Sequence, residues 1–161
     1  MQIFLTNLSK YDSGFLIGEW LELPNTKDEL QDALRRVLSQ GEEYFITDSE
    51  GCPLEVNEHE NLWDLNEKLQ QYEALDEHEQ LCVSFLLSEN YDWDYSMENR
   101  DDVIVYLNES LEDVAVSLVE NGCFGTVGDG LVNYIDYSSI AKDLSYDGYV
   151  QRAEGVFCYT G

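Results

Sequence analysis

The chain has 161 residues and carries 34 Asp and Glu against 8 Lys and Arg, a net charge of −26. Such a field repels nucleic acid and anionic membranes and favours only a positively charged partner. Disorder is excluded too, because 43% of the residues are hydrophobic, 12% are aromatic and only 2 are proline, enough apolar material to fill cores.

The acid is not a tail. Residues 1–58 hold 12 acids and 4 bases, residues 59–99 hold 11 and 1, and residues 100–161 hold 11 and 3, so the segments carry −8, −10 and −8. Their periodicities differ as well. They predict an α+β architecture built as an elongated string of three small domains: α+β at 1–58, helical at 59–99 and α+β at 100–161.

In the first segment, residues 2–8 alternate as a strand with Ile3 and Leu5 on one side. Residues 9–14 are polar and read as a turn. Residues 15–23 read as a second strand, with Phe15, Ile17, Leu21 and Leu23 of one parity and Pro24 as its stop. Thr26 followed by Glu29 matches a capping box, and opens a helix to about residue 39 that buries Leu30, Ala33, Leu34, Val37 and Leu38. Gly41 ends that stretch, and residues 43–48 make a third strand.

The middle segment switches to helical spacing. Leu62, Leu65, Leu69 and Tyr72 share one face, and a second helix from about Asp76 turns Leu81 and Phe85 inward. Acids and aromatics then interleave over residues 89–99. That stretch reads either as a short exposed helix with aromatic anchors or as a rigid platform displaying carboxylates.

In the last segment, residues 102–107 form a strand. Asn108 or Ser110 can cap a helix running to Glu120, with Leu111, Val114, Ala115, Leu118 and Val119 inward. The Gly-rich run Gly125–Gly130 leads into a short helical stretch with Tyr134, Ile135 and Tyr137. Residues 149–152 and 156–159 close the chain as a hairpin.

Signals for chemistry are weak. With 34 carboxylates some pair always lies close, so paired acids do not identify acid–base catalysis. His59 and His78 sit inside Glu-rich runs and read as surface residues. The Gly-rich run has no phosphate-loop Lys and follows a helix rather than a strand. No segment matches the calcium loop of an EF-hand. Cys52, Cys82, Cys123 and Cys158 are isolated, which predicts reduced thiols in a cytoplasmic protein. The N-terminus lacks the basic and long apolar parts of a signal peptide, and no stretch has the roughly 18 apolar residues of a membrane helix. We therefore expect no enzyme, no cofactor, no metal, no bound nucleic acid and no membrane anchor.

Two blocks resemble a known family. Asn7-Leu8-Ser9-Lys10-Tyr11-Asp12, then Gly14, Ile17-Gly18, Trp20 and Pro24, is similar to the opening of the ArdA antirestriction proteins. That opening typically runs Asn-Leu-Gly-Lys-Tyr-Asn, then Gly, Val-Gly and Trp before a Pro. Leu131-Val132-Asn133-Tyr134-Ile135-Asp136-Tyr137, followed by Lys142-Asp143-Leu144, is similar to the family's C-terminal Tyr-Ile-Asp-Tyr and Arg-Asp-Leu block. Gly125-Thr126-Val127-Gly128 departs from the Gly-Glu-Val-Pro often found there.

The resemblance implies a mimic of double-stranded DNA, a curved homodimer joined through its C-terminal domains. Such a dimer occupies the DNA-binding groove of type I restriction–modification enzymes and blocks restriction and often modification. The acids that would stand in for phosphates are Asp12, Glu19, Glu22, Asp48 and Glu50 in the first segment. In the second they are Glu60, Asp64, Glu67, Glu89, Asp92, Asp94 and Glu98, and in the third Asp101, Asp102, Glu109, Glu112 and Asp113. Phe124, Val127, Tyr134 and Ile135 are the candidates for the dimer interface, since residues 123–128 carry no charge. At one phosphate per ~1.7 Å of duplex axis, a −26 protomer matches ~44 Å of DNA, which a string of small domains can span. The rival reading is an acidic adaptor for a basic protein such as a nucleoid protein, and a third is a calcium-regulated protein. Crowded carboxylates should also repel one another and raise many acid pKa values.

Overall fold

The alternation of Ile3 and Leu5 with less buried neighbours forms β1 (Gln2–Asn7), which ends at a buried asparagine. Asn7 caps the next element: its Oδ1 accepts from the Lys10 amide at 3.0 Å and starts α1 (Leu8–Asp12). Its Nδ2 donates to the Val37 carbonyl at 3.0 Å and to Glu42 at 2.7 Å. The polar stretch expected as a turn is thus a short helix, because the capping bond satisfies its first free amides.

The computed structural model describes all of residues 1–161. It has seven α-helices and two three-stranded antiparallel sheets, the mixed α+β class expected. The chain divides into two compact units, Met1–Leu87 and Ser88–Gly161. This division falls inside the segment expected as a helical middle domain and coincides with neither boundary read from the sequence. No helix is long and apolar enough to cross a membrane.

In the first unit β1 is central, flanked by β2 (Gly18–Glu22) and β3 (Tyr44–Glu50). β2 pairs in register Ile3 to Leu21, and Gly18 lies so close to the Leu5 carbonyl that any Cβ there would collide. The strand therefore starts at Gly18 and not at residue 15. Leu21 and Leu23 are buried as their parity predicts, whereas Phe15 and Ile17 stand in an exposed loop. α2 (Lys27–Val37) is capped by the Thr26 hydroxyl, which accepts from the Glu29 amide at 3.3 Å. The Glu29 carboxylate does not complete the box; it pairs with Arg36 at 2.9 Å.

α3 (Leu62–Glu73) closes this core. Leu62, Leu65 and Leu69 are fully buried against Ile3, Leu5, Leu30 and Ala33, each worth about 1.5–3 kcal/mol of burial. Asn66, also buried, accepts from the Asn25 amide at 2.7 Å and donates to the Asn25 carbonyl at 3.1 Å, tying the β2–α2 connection to α3. The Ile46 amide donates to the Glu58 carbonyl at 2.8 Å, so the chain after β3 covers part of that edge. α4 (Glu77–Ser88) buries Cys82, Val83, Phe85 and Leu86.

In the second unit α5 (Trp93–Glu98) leads through a 3₁₀ turn to β4 (Val103–Leu107). α6 (Leu111–Glu120) starts at a reciprocal capping box between Ser110 and Asp113. α7 (Tyr137–Tyr146) is capped by Asp136 and is longer than the short stretch expected. β5 (Tyr149–Arg152) and β6 (Gly155–Tyr159) form the closing hairpin, with strand order β4-β6-β5. Val114, Ala115, Ala141, Leu144 and Val156 form the core between helices and sheet.

Candidate functional site

No acid is buried: 28 of the 34 carboxylates are exposed and the other six are half-buried. The first unit holds 19 acids and 5 bases, net −14, and the second 15 and 3, net −12. Among the predicted acids only Glu19, Glu60 and Glu109 are half-buried; the rest are exposed. Glu19 and Glu22 lie on β2, Asp48 and Glu50 on β3, Asp64 and Glu67 on α3, Asp94 and Glu98 on α5, and Glu112 and Asp113 on α6. Asp12 ends α1, and Asp101 and Asp102 lie in the 3₁₀ turn. Glu60, Glu89, Asp92 and Glu109 sit in connections. The set spreads over both units; Asp64 and Glu67 line one hollow with Trp63 and Lys27, and Glu109 and Asp113 line another with Gln151, but the set as a whole shares no single pocket.

Local chemistry explains some of these acids. Arg36 donates to Glu19 at 2.8 Å and to Glu29 at 2.9 Å, and these bonds raise its pKa further above the ordinary value. Lys68 pairs with Glu60 at 3.3 Å and Arg152 with Glu89. Asp92 caps α5 by accepting from the Tyr95 amide at 2.9 Å. The Ser110 hydroxyl and amide hold Asp113 below the usual carboxylate range. Ser139 does the same for Asp136, and the Ser39 amide with Asn7 lowers Glu42. These three shifts run opposite to the expected repulsion, because fixed donors at a cap act more strongly than distant like charges.

Other acids have no such task. Asp12, Glu67, Glu98 and Asp101 make no side-chain hydrogen bond or ion pair. Asp12 and Glu98 end α1 and α5, where the helix dipole disfavours negative charge. Neither carboxylate is held by a hydrogen bond or ion pair, although the Arg100 guanidinium donates to the Met97 carbonyl at the end of α5. Glu73, Glu120, Asp143 and Asp147, absent from the predicted set, are equally exposed; in a chain this acidic no sequence signal separates them from the rest.

The interleaved stretch after Glu89 is both anchored and acidic. Trp93 and Ser96 are buried, and the Ser96 hydroxyl donates to the Asp92 carbonyl at 2.8 Å. Tyr91 stacks on Tyr95 with centroids 4.8 Å apart, and Tyr159 packs edge-on against both. The hydroxyls of Tyr95 and Tyr159 lie 2.6 Å apart, a hydrogen bond that pushes the Tyr159 pKa up to about 12. Asp94 and Glu98 are exposed on this anchored helix, and Asp92 is taken up as its cap.

Near the Gly-rich run, Phe124 is 58% and Tyr134 83% exposed, while Val127 and Ile135 are half-buried. Leu131 and Val132, which the sequence reading missed, are exposed beside them. Val127 and Val132 line one hollow of about 300 Å³ with Val119 and Tyr137; Phe124, Tyr134 and Ile135 lie outside it.

Catalytic geometry is thin. Burial raises the thiol pKa of Cys52 and Cys158, which keeps both protonated. His78 Nδ1 lies 3.7 Å from Cys82 Sγ, but Cys82 is buried away from any substrate. No three His, Cys, Asp or Glu side chains converge to chelate a metal ion. A family model described as antirestriction protein (ArdA) matches residues 3–159. No curated protein matches the chain.

Proposed function

The chain belongs to the ArdA family of antirestriction proteins, and from that premise we propose that it acts by mimicking double-stranded DNA. It occupies the DNA-binding groove of a type I restriction–modification enzyme in the cytoplasm and blocks restriction and, through the same groove, modification. The observation that carries this reading is the solvent exposure of the carboxylates, none buried, in both units. Acids such as Asp12 and Glu98 end helices and make no hydrogen bond or ion pair within the chain. A groove evolved to neutralise phosphates supplies the missing partner. The mechanism is binding and exclusion, with no bond made or broken in the target.

We further propose a homodimer through the C-terminal segment, where Phe124, Val127, Tyr134 and Ile135 offer apolar surface beside the uncharged run at residues 123–128. Two highly acidic protomers meet most easily where acid is sparse. Cleavage of unmodified plasmid by a type I enzyme tests the function: the protein should abolish it in step with its occupancy of the enzyme. Intact cleavage at saturating protein would instead favour the acidic adaptor.

A further inference from the structure

The first unit carries an unfinished sheet edge. β2 bonds to β1 through the odd residues: the Asn7 amide donates to the Ile17 carbonyl at 2.8 Å and the Leu23 amide to the Met1 carbonyl at 3.0 Å. The even residues Gly18 and Trp20 therefore aim their amides and carbonyls away from β1, where no strand lies. The next outward carbonyl, of Glu22, has only a 3.4 Å contact from the Asn25 side chain. An open edge of this kind is a template for another strand.

The surroundings are apolar and locally neutral. Phe15 is 65% and Leu16 67% exposed, beside Ile17 and Trp20. Residues 13–18 carry no charge, and Glu19 is held by Arg36. A basic peptide would gain little from Glu19, which Arg36 already holds, and finds Glu22 as the strand's one free acid. An identical edge meets the least repulsion here, and antiparallel pairing is self-complementary.

We propose that β2 is a second self-association surface, pairing with β2 of another copy about a twofold axis at Trp20. In that register the two Trp20 residues face each other and Gly18 faces Glu22 of the second copy. The indoles form a cross-strand aromatic pair, which such positions favour. The Glu22 carboxylates fall on opposite sides of the axis, about 14 Å apart along the strands, beyond the ~8 Å screening length at physiological salt. The two three-stranded sheets become one of six strands. Exposed Phe15 and Leu16 gain cover from the copy's β2–α2 connection. This contact is distinct from the C-terminal dimer and does not depend on it.

Salt gives the association its signature. Its attraction is apolar and backbone-based while its opposition is like charge, so added salt strengthens it; binding to a basic groove weakens under the same change. Sedimentation of the full-length protein over a range of concentrations, at about 0.1 and 0.5 M salt, reads this directly. The test protein carries Phe124→Asp and Val127→Asp, so that the β2 contact is observed without the C-terminal one. Self-association that grows with salt, and weakens about tenfold or more on adding Trp20→Glu, is the expected result. Should Trp20→Glu misfold, Phe15→Asp with Leu16→Asp, outside the strand, must weaken association in its place. Amide exchange at Gly18 and Trp20 should slow as concentration rises. Association indifferent to all these changes, or exchange at Gly18 and Trp20 independent of concentration, would overturn the proposal. Loss of enzyme inhibition on Trp20→Glu without loss of association would also overturn it, by assigning the edge to the enzyme.

Discussion

Asp12→Asn, Glu67→Gln, Glu98→Gln and Asp101→Asn together separate mimicry from ordinary acidity. None of these side chains makes a hydrogen bond or ion pair within the protein, and all four are exposed. Two of them end helices, where the dipole disfavours negative charge. Removing the charges should therefore leave stability unchanged or slightly higher, within about 0.5 kcal/mol. Against a basic groove each carboxylate is worth about 0–1 kcal/mol as an exposed pair. One substitution then weakens inhibition by no more than about fivefold, and four weaken it by about 2 kcal/mol, or ~30-fold. The assay is a titration of the four single variants and the quadruple variant against a type I methyltransferase core holding labelled duplex, with thermal melts alongside. A single substitution that abolished inhibition in a folded protein would refute a distributed surface. A quadruple variant that inhibited at full strength would refute the assignment of these acids to the contact.

Asn66→Leu should lower stability by about 1–3 kcal/mol, because it leaves the Asn25 amide without its partner and the Asn25 carbonyl with only the 3.4 Å contact from Gln70; a denaturant titration measures it. Gly155→Ala should cost about 1–3 kcal/mol or more, since its Cβ would strike the Tyr106 carbonyl between β4 and β6 at a φ of +146°; circular dichroism melts report the loss. Phe124→Asp and Val127→Asp combined with Trp20→Glu, which blocks β2, should give a folded monomer in sedimentation, and a dimer persisting in that variant would place the C-terminal interface elsewhere. Stability at low salt should peak at mildly acidic pH. The lowered carboxyls of Glu42, Asp113 and Asp136 contribute above their ordinary values of 4.5, 3.8 and 3.8, and that contribution disappears as pH falls through their depressed folded values. Mutual repulsion of the remaining acids acts the other way as pH rises, so added salt should raise the melting temperature near pH 7. Melts flat in both variables would contradict this balance.

Much of the fold was legible because single elements obey local rules. The leucines of α3 and the valines of α6 announce their buried faces by spacing alone. The Thr26 and Ser110 caps mark where α2 and α6 begin. Periodicity is silent about which surface a helix covers, so α3 read as part of a middle domain although it completes the core over β1. The alternation of Phe15 and Ile17 suggested burial, but the ladder ends at the Asn7 to Ile17 bond and the Phe15 amide turns back to the Lys10 carbonyl at 2.9 Å. α1 went unread, and α7 was read only as a shorter stretch, for a different reason. Their caps, Asn7 and Asp136, each accept from the amide three residues on, within segments whose polar residues resemble turns.

The acidic surface was legible as a total and not as a map. Composition gives −26, and only structure shows that Glu19, Glu60 and Glu89 each have a cation. Asp92 and Asp113 are tied to helix starts in the same way. The caps are local, but the pairs of Glu19 with Arg36 and Glu89 with Arg152 join residues far apart in the chain, and no local pattern encodes them.

Displacement of labelled duplex from a type I methyltransferase core, followed by anisotropy as this protein is added, tests DNA mimicry most directly. Mimicry predicts complete displacement, an apparent inhibition constant that rises in proportion to DNA concentration, and weaker competition at higher salt. A ternary complex, in which the protein binds the enzyme while the duplex stays bound, would contradict it.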